Sequence, residues 1–97
     1  MAATPENKVK QAVRKVLDAY NCYTFMPMQN GFGAPALDFH CICNSVGFCI
    51  ETKAPGKKPS PRQVVTIGKI EAAKGKVFVI DGDTTELEEW LKDVSSR

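Results

Sequence analysis

Apolar residues recur along this chain with two periods, and the switches between them mark out the elements. Val9, Ala12, Val13, Val16, Leu17 and Tyr20 fall on one helical stripe. Thr4-Pro5-Glu6 ahead of it is a helix start, with a capping hydroxyl, a proline at the first helical position and an acid in the first turn. Asn21 to Met28 holds Cys22, Tyr23, Thr24, Phe25 and Met26 and stops at Pro27, which predicts a first strand. Leu37 to Cys43 predicts a second, apolar enough to suggest cover on both sides. Asn44-Ser45-Val46-Gly47 reads as a turn, and the run ending in Glu51-Thr52-Lys53 as the returning arm of a β-hairpin. Ser60-Pro61-Arg62-Gln63 is a capping box opening a second helix, whose apolar side is Val64, Val65, Ile67, Ile70 and Ala73 and which Gly75 ends. Lys76 to Ile80 predicts a fourth, central strand. Asp81-Gly82-Asp83 then turns into a last helix capped by Thr85, with Leu87, Trp90, Leu91 and Val94 as its buried stripe. The order is αβββαβα: an α/β fold with a mixed central sheet flanked by helices, in a single domain over residues 1–97.

The hairpin brings the chain's chemistry together. Its first and last residues become neighbours, so Asp38 meets Glu51-Thr52-Lys53 at the open end. Side-chain alternation puts Phe48, Ile50 and Thr52 on one layer and Cys49, Glu51 and Lys53 on the other. By the same rule Asp38, His40 and Ile42 share one face of the second strand, and Phe39, Cys41 and Cys43 the other. The carboxylates of Asp38 and Glu51, with the Thr52 carbonyl, are hard oxygen donors that suit Mg²⁺ or Mn²⁺. Lys53, beside a metal-bound water, would orient it and stabilise charge developing on a phosphate oxygen. The plainer reading of Lys53 is a cross-strand ion pair. His40 reads either as a partner of Asp38, as a general base or as a packed histidine. Gly31 and Gly33, in the glycine-rich loop 29–35, form either a rim against a nucleic-acid backbone or a simple connection. Glu6 continues the buried stripe of the first helix, where it serves the helix dipole or faces the site.

Charge adds a partner. The net charge of +2 hides an asymmetry: residues 81–97 hold six acids against Lys92 and Arg97, so the first eighty residues carry +6. The excess lies in the first helix (Lys8, Lys10, Arg14, Lys15) and at the hairpin exit (Lys53, Lys57, Lys58, Arg62), which suits a polyanion such as DNA. Composition, with 43% hydrophobic and 25% charged residues, is that of a globular protein. No apolar run is long enough to span a membrane and no signal pattern opens the chain, so a cytoplasmic setting with reduced thiols is expected. Cys22, Cys41, Cys43 and Cys49 read as small core residues. The rival is a zinc site built from them with His40.

A proline ahead of an aspartate, a hairpin and then E-x-K resembles the PD-(D/E)XK nuclease superfamily. The run Glu51-Thr52-Lys53-Ala54-Pro55-Gly56 followed by Ser60-Pro61-Arg62-Gln63 resembles its VRR-NUC branch. The resemblance covers nearly the whole chain and implies a restriction-endonuclease-like core. It implies that Asp38 and Glu51 bind the metal, that Lys53 assists the attacking water, and that Gln63 and Glu6 complete the site. It also implies a structure-specific DNA endonuclease of bacterial or phage-infected cells, acting on branched DNA such as Holliday junctions as a homodimer. Lys57, Lys58 and Arg62, with Gly31 and Gly33, are then the DNA contacts. A non-catalytic nucleic-acid-binding module and a zinc-stabilised interaction domain are the alternatives.

Overall fold

The computed structural model describes residues 4–28 and 35–97. Its elements follow the expected order: α1 (Pro5–Ala19), β1 (Tyr23–Phe25), β2 (Phe39–Cys43), β3 (Val46–Thr52), α2 (Pro61–Ala72), β4 (Lys76–Ile80) and α3 (Thr85–Ser95). The Thr4 hydroxyl accepts the Asn7 N–H at 3.1 Å, as a capping residue should. The hairpin turn is tighter than the four residues expected, because Val46 already pairs with Cys43. Only Asn44 and Ser45 turn the chain, both at positive φ, as a two-residue turn matched to strand twist requires. The Asn44 side-chain amide donates to the Val94 carbonyl at 2.8 Å and ties the turn to the end of α3.

The sheet runs β1-β2-β3-β4, antiparallel through β3 and parallel between β3 and β4. Among the described residues β4 is therefore an edge, not the central strand its apolar run suggests. Val79 is 46% exposed there, so only alternate residues of that run are buried. One face of the sheet, with Phe39, Cys41, Cys43, Phe48, Ile50, Phe78 and Ile80, packs with Val9, Val13 and Leu17 of α1 and Leu87, Leu91 and Val94 of α3. Trp90 meets Phe48 and Phe78 edge-on at 5.0 and 5.4 Å.

The opposite face is only partly covered. α2 lies along β4 and half-buries Ile67 and Ile70, but no α2 residue is buried, and Val64, Val65 and Ala73 of its expected apolar side are exposed. Tyr23, Phe25 and Ile42 also stand more than half exposed, which corrects the expectation that β2 is covered on both sides. β1 is three residues long, shorter than the expected strand.

Local details adjust two helix ends. α3 begins at Thr85 with Thr84 at the cap position, one residue before the expected cap; Asp83 accepts the Thr85 N–H at 2.9 Å. After α2, Lys74 takes the positive-φ position and Gly75 follows. A Cβ at Gly75 would come within 2.6 Å of the Ile70 side chain, so close approach rather than backbone twist demands glycine there.

Candidate active site

The register Phe39↔Ile50 puts the residue before β2 beside the end of β3, and there the two carboxylates meet. The Asp38 N–H donates to Glu51 Oε1 at 3.2 Å. Asp38 Oδ2 accepts two hydrogen bonds from Thr52, from its N–H at 2.9 Å and from its hydroxyl at 2.6 Å. Thr52 points to the core layer and Glu51 to the other, as alternation requires, yet both are buried. Asp38 does not share its face with His40. β2 begins only at Phe39, the chain bends at Asp38, and the carboxylate turns to Thr52.

Glu51 is the focus of the cluster. Its Oε2 takes the Gln63 side-chain N–H at 2.6 Å and lies 3.6 Å from the Lys53 ammonium. The other end of the Gln63 amide accepts the Ser60 N–H at 2.9 Å, while Ser60 Oγ takes the Gln63 N–H. The capping and site readings of Gln63 thus hold together, because one amide offers an acceptor to the helix cap and a donor to the carboxylate. With 2% of its surface exposed, Glu51 sits in a desolvated spot. Burial first, then the charge of Asp38, pushes its carboxyl up to about 7, against the Lys53 ammonium and the Asp38 N–H, which both pull it down. Two carboxylates side by side are hard oxygen donors of the kind a hard divalent cation takes, since it needs only one or two carboxylates and keeps waters for the rest.

A second ammonium, which the sequence reading counted only as surface charge, joins the site from α1. Lys10 Nζ lies 3.7 Å from Asp38 Oδ1 and 4.0 Å from Glu6 Oε2. Glu6 therefore reaches the cluster through Lys10. The signal available in the sequence was the i,i+4 spacing of Glu6 and Lys10 on the flank of the buried stripe. Lys57, Lys58 and Arg62 are exposed in the loop and first turn that join Lys53 to Gln63. Gly31 and Gly33 lie outside the described residues.

His40 goes elsewhere: its Nδ1 faces Cys49 Sγ at 3.7 Å on the partly open sheet face, with Nε2 buried and unpartnered among the described residues. That arrangement removes the zinc reading. Cys41 and Cys43 lie on the core face, Cys49 and His40 on the other, and no three His, Cys, Asp or Glu side chains gather as a metal site among the described residues. Burial pushes the Cys22 thiol up to about 12 and Cys41 up to about 11, so both stay protonated near neutrality.

No protein-family model matches the sequence, and no curated protein does. Among solved structures the chain is similar to one described as a VRR_NUC domain, at TM-score 0.73 and 20% identity over 98% of each chain. The likeness extends over all the elements described above, and the fold is that of a VRR-NUC domain, a mixed sheet flanked by helices.

Proposed function

We propose that this chain, with its VRR-NUC fold, is a single nuclease domain that hydrolyses DNA phosphodiester bonds with a divalent metal ion. The observation that carries this reading is the meeting of Asp38, Glu51 and Lys53 at the adjoining ends of β2 and β3. Asp38 and Glu51, with the Thr52 carbonyl, would hold Mg²⁺ or Mn²⁺. A bound ion of this kind acidifies water and offsets charge on the phosphate. The chain's own residues do the rest. The Lys53 ammonium would orient the attacking water and stabilise a phosphate oxygen as the water oxygen bonds phosphorus, its proton passes to solvent, the ester P–O bond breaks and the leaving oxygen takes a proton from solvent. Gln63 locks the Glu51 rotamer, and Glu6 holds Lys10 beside Asp38. Lys57, Lys58 and Arg62 supply cations on the α2 side, and the 29–35 loop with Gly31 and Gly33 is assigned to the DNA backbone.

Within that activity the substrate is branched DNA, four-way junctions in particular, cut by a homodimer in which two sites act on two strands. The partly uncovered sheet face supports the second copy. Tyr23, Phe25 and Ile42, each more than half exposed, offer roughly 300 Å² of apolar surface, the centre from which a dimer interface would extend. Protonated, reduced thiols suit the cytoplasm of a bacterial or phage-infected cell.

The test is cleavage of labelled four-way junction, flap and linear duplex with Mg²⁺, Mn²⁺ or EDTA, with the oligomer measured by sedimentation. Paired, metal-dependent nicks near the branch point by a dimer are expected. DNA binding without cleavage in either metal would overturn the enzyme reading.

A further inference from the structure

We propose that a groove on the outer flank of α1 binds a phosphodiester of the DNA backbone next to the scissile one, with Lys10 and Arg14 as its cationic contacts. The proposal rests on the nuclease reading above and adds a subsite on the opposite side of the carboxylates from Lys57, Lys58 and Arg62.

The groove has a volume of about 200 Å³ and is lined by Asn7, Lys10, Gln11, Arg14, Met26 and Phe39. The four α1 residues fall at i, i+3, i+4 and i+7, so they form one stripe beside the buried face of Val9, Val13 and Leu17. The stripe offers two cations and two amides and no carboxylate, a donor set matched to phosphate oxygens. Met26, 40% exposed, gives the groove an apolar wall for the sugar, with the buried Phe39 beneath it. Lys10 and Phe39 join it to the site: Phe39 follows Asp38 in the chain, and the Lys10 ammonium is 3.7 Å from Asp38 Oδ1.

Both cations are available. Lys10 stands 3.7 and 4.0 Å from its two carboxylates, beyond hydrogen-bond length, so it is shared between them rather than locked to either. The Arg14 guanidinium has a thioether as its one hydrogen-bond partner among the described residues, Met26 Sδ at 3.4 Å, a weak acceptor that leaves the charge without a counterion. Lys8 and Lys15 carry the same charge on the same helix but point away from the buried stripe, which makes them an internal control.

The experiment is fluorescence anisotropy of labelled four-way junction DNA in EDTA, from about 50 to 200 mM salt. It compares wild type, Lys10→Gln, Arg14→Gln and the Lys8→Gln/Lys15→Gln pair, with thermal melts to confirm folding. Arg14→Gln and Lys10→Gln are each expected to weaken binding about 3- to 30-fold and to lower the salt slope by about 1, whereas the control pair leaves the slope unchanged. Arg14→Gln sits on an exposed flank and keeps the test open if Lys10→Gln disturbs the fold. Wild-type binding that Arg14→Gln leaves unchanged, or that the control pair weakens as much, overturns the groove alone. A folded wild type that binds no DNA overturns the nuclease reading as well.

Discussion

The two helices that flank the carboxylates hold them in different ways. On the α2 side, Gln63 makes a 2.6 Å hydrogen bond to Glu51 and is itself fixed at its other end by the cap of its own helix. Lys53 beside it is 15% exposed. On the α1 side, Lys10 is 28% exposed and reaches Asp38 over 3.7 Å, with Glu6 as its tether. The two ammoniums stand at like distances, 3.6 and 3.7 Å, so the difference lies in the Gln63 hydrogen bond and the lower exposure on the α2 flank. The comparison teaches where each task belongs. A group that must meet a developing charge gains from being held in place before the reaction, and a group that must find a phosphate on an arriving strand gains from freedom to turn.

The comparison can be broken from its rigid side first. Lys53→Ala should lower single-turnover cleavage about 10²- to 10³-fold with DNA binding little changed, measured with Mg²⁺ under saturating enzyme. A loss confined to binding would move Lys53 to the other class. Gln63→Ala is expected to cost about 10- to 100-fold in cleavage, since it frees a side chain in contact with the metal-holding carboxylate, and about 1 kcal/mol of stability from the cap.

The metal-free protein should also show its desolvated carboxylate directly. Glu51 titrates at about 7 when folded and near 4.5 as a free side chain, so between those values only the folded chain holds the proton. Folding stability in EDTA should therefore fall as pH rises through that window, by about 1 kcal/mol or less per pH unit, with the slope removed in Glu51→Gln. Urea denaturation at several pH values reads it. The smallest effect is expected on the loose flank: Glu6→Ala should change stability by less than about 1 kcal/mol, because exposed helical ion pairs contribute little.

Much of this architecture is legible in the sequence because its signals are local. The Thr4 cap and the capping box at Ser60 each specify their backbone within four residues, and the hairpin alone places Asp38 beside Glu51, although its turn is two residues rather than the four of Asn44-Ser45-Val46-Gly47. What escapes is set by distant packing. The run Lys76–Ile80 looks the same at an edge as at a centre, because its burial depends on whether another strand lies beyond it. Val64 and Val65 look like core residues, but nothing among the described residues covers them. Asp38 leaves the face of His40 because Thr52 supplies two donors, and neither its angle nor the bend is written in periodicity. Lys10 joins the site only because α1 packs across the sheet at β3.

Metal binding to the carboxylate pair tests the central claim most directly, ahead of any substrate. Titration of metal-free protein with Mn²⁺, followed by electron paramagnetic resonance at neutral pH, should show an ion bound by the wild type and lost in both Asp38→Asn and Glu51→Gln, with both variants folded. Binding that survives in both variants, or a folded wild type that binds no ion even with DNA present, would contradict the account.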